Sequence, residues 1–322
     1  METNRRTTIA GFVGAGVVLA ILFWFVGIDG IVTAIWRADP SVLLGVITFA
    51  ACWMICWGMA LHTVLGAIGS PVTALTAVLA FSASMFTNAI TPFGQAGGEP
   101  IAAVLISEAA DSDYETGLAA IASVDTLHFV PSIGLATVGL GTIVVRSVSL
   151  TRNIYLAGVA VAVLGGVFLS GAVLGWFYRE GIERFVVRVF TPTLRRLAGA
   201  LPRLDPPDKS AIEESIEGFF AAIDRVATSR RTILLASLYS LAGWLSLSGA
   251  LWLSLAAIGY AVPFVAAMIV VPVGSIAAVT PLPGGLGGIE AAFIGLIVST
   301  TGVAASVAGA AVVIYRVATY WL

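Results

Sequence analysis

Charge is scarce in this sequence: of 322 residues, only 11% are Asp, Glu, Lys or Arg. A soluble domain carries roughly 25% charged residues, whereas 59% of this chain is hydrophobic. Because so little polar surface is available, a water-soluble globular enzyme is excluded and the chain is expected to lie in a membrane. The formal net charge of −2 does not show whether the chain binds nucleic acid. A chain of this composition is not expected to bind it.

Cysteine and histidine, which are common metal ligands, are also few: the whole chain has two of each. Cys52 and Cys56 are one helical turn apart inside an apolar run. That spacing puts two thiols on one helix face, which is too few ligands for a metal site. We interpret both cysteines as packing residues, and we predict no metal and no cofactor.

The sequence is rich in long apolar runs, which predict membrane-spanning helices. Most are long enough to cross about 30 Å of hydrocarbon at roughly 1.5 Å per residue. Two are shorter, at about 12 residues each, and predict half-spanning helices. The fold class predicted is an all-α polytopic membrane protein, with about six full spans plus two re-entrant helical hairpins, as a single domain over residues 1–322. The runs fall at about 8–28, 41–66, 72–91, 99–110, 116–142, 153–177, 232–258, 262–280, 288–300 and 303–322.

Basic residues predict the orientation, because Lys and Arg concentrate in cytoplasmic loops. Arg5 and Arg6 precede the first run, and ten of the sixteen basic residues lie between Arg179 and Arg231. We therefore expect the N-terminus and this loop to lie on the cytoplasmic side. We expect the protein itself to lie in the plasma membrane. Counting crossings from these points makes 72–110 a hairpin that enters from the cytoplasmic face. The stretch 262–300 becomes a second hairpin, entering from the opposite face.

The basic loop, at about 178–231, has amphipathic segments. Apolar residues recur at helical spacing after residue 210, on one face of a predicted helix. Such a helix is expected to pack at the membrane surface. Recognition of anionic lipid by Arg195 and Arg196 is the alternative.

An internal repeat is the strongest signal in the sequence. Thr91 to Glu99 reads TPFGQAGGE, and Thr280 to Glu290 reads TPLPGGLGGIE. Both have Thr-Pro, a glycine-rich turn, Gly-Gly, and a glutamate that opens a short apolar helix. Because the two hairpins are predicted to enter from opposite faces, the chain is predicted to be an inverted-topology repeat, with repeat A at about 41–142 and repeat B at about 232–322.

Each part of the motif has a physical role. Proline stops the incoming helix, and glycines let the backbone turn and approach a ligand. The outgoing helix then points its N–H groups and the positive end of its dipole at the turn, which favours an anion. Two tips meeting near the membrane midplane would form a central site. Asn88 and Gln95 are polar near the first tip, and either contact substrate or satisfy backbone groups.

Ionisable residues inside apolar runs are costly and usually functional. Glu99 and Glu290 either cap free N–H groups or couple transport to a proton or cation. Asp125 and His128 are three residues apart; they either pair with each other or relay a proton from Glu99. Arg316 lies in the last run, and we expect it to pair with Glu290, where an anionic headgroup would compete for it.

The two motifs resemble those of the lysylphosphatidylglycerol synthase transmembrane family, also called flippase-like or UPF0104, and the wording Gln-Ala-Gly-Gly-Glu-Pro is similar to archaeal members. The resemblance covers nearly the whole chain and implies a domain that handles lipid. Many bacterial members have an arginine where Ala102 and Ala103 stand, so the headgroup preference is expected to differ. The site implied by the resemblance comprises Asn88, Pro92, Gly97, Gly98, Glu99, Pro281, Gly284, Gly285, Gly288, Glu290 and Arg316.

Three functions remain open at this point. The favoured one is a lipid translocase, not an enzyme, working on a phospholipid or polyprenyl-linked lipid with membrane lipids as partners. The second is a secondary transporter of a small anion or solute, coupled to protons or cations. The third is a membrane-embedded transferase, for which Asp111 and Asp113 supply a weak D-x-D pattern. A homo-oligomer or a partner lipid-modifying enzyme is compatible with each.

Overall fold

The computed structural model describes residues 2–91, 95–146, 209–278, 280 and 282–320, with a few single positions between 147 and 208. These ranges are helical and contain no β-strand. The predicted run 153–177 and most of the basic loop, including Arg195 and Arg196, lie outside the described residues. Pro92 and Pro281 also lie outside them.

Eleven α-helices occur in the described ranges. Two short 3₁₀ turns, Ile276–Ala278 and Pro283–Gly285, lie between the ninth and tenth helices. In chain order the α-helices are α1 Glu2–Val26, α2 Ile28–Trp36, α3 Pro40–Ile68, α4 Ala74–Ile90, α5 Gln95–Ala109, α6 Tyr114–Arg146, α7 Lys209–Thr228, α8 Arg230–Ala257, α9 Phe264–Ser275, α10 Gly288–Thr301 and α11 Ala305–Tyr320.

Four stretches are long and apolar enough to cross a membrane: α3, most of α6, α8 and Pro283–Thr301. A fifth results if α1 and α2 count as one span, since they meet at an 86° bend. The bend occurs at Gly27, whose φ of 101° suits glycine. These four or five candidate spans support the predicted all-α polytopic membrane protein, while the total of six spans and the inverted repeat remain predictions.

Both predicted hairpins are pairs of short helices in contact, α4 with α5 and α9 with α10. The stretch Pro283–Thr301 is not one continuous helix, because Gly284, Gly285 and Gly287 have positive φ. The regular helix α10 begins at Gly288 and has 14 residues, which makes it about 21 Å long. It is therefore too short to cross roughly 30 Å of hydrocarbon alone.

The centre of the protein is the interface between α3 and α8. The Trp57 indole of α3 occupies the space where a side chain at Gly243 would lie, and its Nε1 donates to the Ser240 carbonyl at 3.2 Å. Small residues allow this close approach, as is common between membrane helices. Cys52 of the same helix is exposed and Cys56 is half-buried, so the interpretation of Cys52 as a packing residue is wrong.

Helix α7 packs against α3 and α6, rather than only on a membrane surface. Its Ile212, Ala222 and Val226 are buried. Arg225 donates through Nη1 to the Ile68 carbonyl at 2.5 Å, which satisfies an acceptor at the end of α3. The described part of the basic loop thus closes one end of the helix bundle.

Candidate functional site

The tip of the second hairpin is built from left-handed glycines. Gly284, Gly285 and Gly287 have φ of 57°, 69° and 85°, a region where other residues are strained. A side chain at Gly284 would overlap the Tyr320 ring of α11. At Gly288, the start of α10, a Cβ would lie 2.6 Å from a methyl group of Thr280. The tip is therefore compact as well as sharply turned.

Glu290 serves the tip in two ways at once. Its Oε2 accepts from the Gly287 backbone N–H at 2.5 Å, which caps the start of α10. Its Oε1 accepts from Arg316 Nε at 2.7 Å. The predicted Glu290–Arg316 contact is confirmed, and the Glu290 residue is only 3% exposed. The cap and the ion pair, both predicted for Glu290, occur together, and coupling to a proton or cation stays a prediction.

Arg316 joins α11 to the tip. Its Nη2 donates to the Gly284 carbonyl at 3.2 Å, and its guanidinium lies 4.5 Å from the centroid of the Tyr320 ring. Such a contact attracts a cation to the ring face. A guanidinium has five N–H donors, and these two hydrogen bonds use two of them. The group is thus oriented by the tip while it retains capacity for an anion.

The two hairpins touch near their tips. Tyr320 Oη donates to the carbonyl of Ala89, in the last turn of α4, at 2.8 Å. The end of α4 also contacts the Pro283–Gly285 turn. Tyr320 therefore bridges the hairpins, a role that we did not predict. Its position four residues after Arg316, on the same helix face, was the available signal.

Helix α1 covers the second tip, which the sequence also did not predict. A side chain at Gly287 would overlap Val18, and a Cβ at Gly11 would lie 3.3 Å from Pro283. These contacts bury the backbone of the tip against protein. Irregular backbone within a membrane persists only in such surroundings or beside water.

The first tip is described on both sides of residues 92–94. Asn88, at the end of α4, is 7% exposed, and its side chain lies against Gly98, where a Cβ would overlap the amide oxygen. Both polar atoms of the amide lack a hydrogen-bond partner. Gly97 and Glu99 are half-buried. Gln95 begins α5, and its side chain lies outside the described residues.

Glu99 faces a second carboxyl group, that of Asp125 on α6. The two helices pack closely, since a Cβ at Gly117 would lie 2.9 Å from the Ser107 backbone nitrogen. This contact brings Glu99 level with Asp125, and the two carboxyls interact electrostatically. One oxygen of Asp125, Oδ2, is buried without a hydrogen-bond partner.

The predicted alternative of an Asp125–His128 pair is wrong. His128 Nδ1 bonds the Ser240 hydroxyl at 2.8 Å, and its ring stacks on Trp57 with centroids 4.0 Å apart. Residues three apart on a helix are neighbours, but their partners separate them: Asp125 interacts with Glu99 of α5, while His128 contacts α3 and α8.

Among the described residues, no group of three or more His, Cys, Asp or Glu side chains could hold a metal ion. Asp111 and Asp113 lie in the turn between α5 and α6, where Asp111 has a φ of 46°. The D-x-D pattern therefore has no third ligand of these types beside it in the described ranges.

The chain is similar to known proteins over almost its whole length. A UPF0104 membrane protein from Methanothermobacter thermautotrophicus (strain ATCC 29096 / DSM 1053 / JCM 10044 / NBRC 100330 / Delta H) is 26% identical over 331 residues, which cover 99% of this chain and 91% of that protein. The family described as the lysylphosphatidylglycerol synthase TM region matches residues 9–322. The chain therefore belongs to the lysylphosphatidylglycerol synthase TM region family.

Proposed function

We propose that this protein is a lipid translocase, which moves a phospholipid or polyprenyl-linked lipid between leaflets by alternating access around the two tips. The observation that carries the proposal is Arg316, held by Glu290 and the Gly284 carbonyl where the two hairpins meet. The lipid in the family's description, lysylphosphatidylglycerol, is consistent with a phosphate-bearing substrate. We infer that the domain moves lipid and does not modify it covalently.

An anionic headgroup suits the second tip. The N-terminus of α10 directs N–H groups and a positive dipole end at the turn, and Arg316 offers the planar donor set that binds phosphate well. A headgroup phosphate would compete with Glu290 for Arg316. Release of Glu290 would then leave the Gly287 cap as its remaining bond, which gives the tip two alternative arrangements.

We infer that acyl chains pass along an apolar groove between α6 and α8. A groove of about 350 Å³ there is lined almost wholly by apolar groups, including Val130, Pro131, Leu135, Leu234 and Leu238. Pro131 lies inside α6, where it removes one backbone hydrogen bond and favours a bend. A lateral apolar opening is what a lipid requires and what a solute vestibule lacks.

The packing supports two related halves. Helices α3–α6 and α8–α11 follow the same order, and the leading helices α3 and α8 pack together at the centre. Arg316 lies 26 residues after Glu290, and Asp125 lies the same distance after Glu99. We propose that the halves have opposite orientations, with the N-terminus in the cytoplasm and the protein in the plasma membrane.

Leaflet exchange in liposomes tests the proposal. The purified protein would be reconstituted, and exchange of labelled anionic and aminoacylated lipids would be measured for wild type, Glu290→Gln with Glu99→Gln, and Arg316→Gln. Glu108→Gln is the matched control, because Glu108 is exposed on α5. Exchange that requires the protein, falls in the site variants and survives in the control supports a translocase. Absence of exchange for every lipid tested, with the protein folded, would reject it.

A secondary transporter is the second candidate, and one observation favours it. The electrostatic contact between Glu99 and Asp125 is an arrangement suited to a coupling proton or cation. Uptake of a small anion across a pH or Na⁺ gradient, without lipid exchange, would select this function.

A further inference from the structure

We propose that Glu99, Asp125 and Asn88 form a site for one exchangeable monovalent cation, Na⁺ or H⁺, at the first hairpin. The role of this site in transport rests on the proposed function. The site names the ion that would be coupled to the transport cycle. Binding of the cation is nevertheless testable without any transport.

Two neighbouring carboxyl groups inside a membrane domain require a positive charge. Like charges in a medium of low polarity disfavour double ionisation. Glu99 is half-buried, and Asp125 has a buried Oδ2 without a hydrogen-bond partner. A shared proton or a bound Na⁺ removes the repulsion, and carboxylate oxygens are suitable ligands for either.

In the second half of the chain, the protein itself supplies the positive charge beside the glutamate. Glu290 and Arg316 are 26 residues apart and form an ion pair of 2.7 Å. The same spacing from Glu99 leads to Asp125. The first half of the chain thus has a carboxylate where the second has its guanidinium, and a proton or Na⁺ from solution would supply the missing positive charge.

Asn88 is independent support for a ligand. Asn88 is only 7% exposed, and therefore 93% buried. Neither polar atom of its amide has a hydrogen-bond partner. Buried polar side chains are nearly always satisfied. The amide lies against Gly98, the residue before Glu99. Because Gly98 directly precedes Glu99 in α5, we infer that the carbonyl oxygen of Asn88 adds a neutral ligand to the carboxyl pair.

No other described group supplies the charge. Helices α4 and α9 have no titratable side chain. On α6, His128 is bonded to Ser240 of α8. Arg316 belongs to Glu290. On α7, Gly218 lies beside Glu115, at the far end of α6 and ten residues from Asp125, which is about 15 Å.

The remaining titratable groups of the neighbouring helices lie elsewhere along them. On α3 these are the two cysteines and His62, and on α8 they are Tyr239 and the arginines at its start. Neither Glu99 nor Asp125 forms an ion pair with a Lys, Arg or His within the described residues.

Thermal unfolding of the full chain in nanodiscs tests the site. The midpoint Tm would be measured against NaCl at pH 8, with choline chloride at equal ionic strength, and against pH from 5 to 9 without Na⁺. Ligands that bind only the folded state raise Tm, so Na⁺ binding predicts a saturable rise of roughly 2–4 °C. A proton site predicts a Tm that falls as pH rises, because the folded state holds a proton that the unfolded state releases.

Variants assign the response to the site. Glu99→Gln and Asp125→Asn should remove it, and Glu108→Gln should keep it. Asp125→Arg supplies a resident charge like that of Arg316, so its Tm should be high without Na⁺ and insensitive to it. If that larger side chain prevents folding, Asp125→Asn still decides. A Na⁺ response lost in the site variants identifies Na⁺, and a pH response lost in them identifies H⁺.

Two results would overturn the proposal: a Tm insensitive to both ions, or a response that Glu99→Gln and Asp125→Asn leave unchanged. The fate of the translocase proposal is separate. A cation response without lipid exchange would leave this site standing and remove the translocase. Lipid exchange without a cation response would do the reverse.

Discussion

The two hairpin tips share a sequence motif but differ in how they balance charge. At the second tip, Glu290 is paired with Arg316 and caps α10. At the first tip, Glu99 faces Asp125, and Asn88 is buried without a partner. The comparison teaches that a sequence motif can recur with the same order of helices while its charges diverge. One half carries its own counter-charge, and the proposed cation would supply that of the other.

The largest expected effect comes from breaking the ion pair of the second tip. Arg316→Gln leaves Glu290 buried without its cation, which should lower the free energy of unfolding by about 3–5 kcal/mol. Asp125→Asn, at the matching position of the first half, removes a like charge and should cost far less. Chemical unfolding in detergent measures both. The double variant Glu290→Gln with Arg316→Gln is the control: if it were no more stable than Arg316→Gln alone, the pair would not be the cause.

A smaller loss is expected from a methyl group at the second turn. Gly284→Ala places a side chain at a φ of 57° and against the Tyr320 ring, which should cost about 1–3 kcal/mol. Gly295→Ala is the matched control in α10, because nothing lies within 4 Å of its Cβ position. The control should be neutral or slightly stabilising, since alanine favours helix. Equal losses in both variants would contradict a specific fit at the tip.

The corresponding change in the first hairpin should cost somewhat less. Gly98→Ala overlaps the Asn88 amide and approaches its Cα to 2.8 Å, but Gly98 lies in regular helix and needs no unusual φ. We expect a loss of about 1–2 kcal/mol, measured by the same unfolding experiment. Gly134→Ala, with open space around its Cβ position, is the control. A neutral Gly98→Ala would show that α4 and α5 separate easily.

The smallest effect is expected where the hairpins touch. Tyr320→Phe removes the hydrogen bond to the Ala89 carbonyl and keeps the ring beneath Arg316, so it should cost about 0.5–1.5 kcal/mol. Tyr260→Phe, at an exposed position, should change little. If the contact between hairpins also controls alternating access, Tyr320→Phe should change the rate of lipid exchange by a larger factor than its small loss of stability would explain. Identical behaviour of both variants in both assays would remove Tyr320 from the mechanism.

Much of the electrostatic plan of the second tip could be predicted from sequence. Glu290 and Arg316 are oppositely charged residues in apolar runs near each other in the chain, and few other partners exist. A buried charge has to be paired, so the contact followed from scarcity alone. The first tip was less predictable, because Asp125 had both Glu99 and His128 within reach. Only the packing of α5 and α6 at Gly117 decided between them.

Sequence is sufficient to predict a polytopic membrane protein with two short-helix hairpins and glycine-rich tips, and to assign the family. Which face of each helix is inside depends on the packing of the whole chain. In α4, Phe81 is fully buried while Phe86 is 63% exposed, although both are equally apolar. Hydrophobicity separates inside from outside only in water; in a membrane both surroundings are apolar. The cover of α1 over the tip, the Tyr320 bridge and the exposure of Cys52 all required the packing of the whole chain.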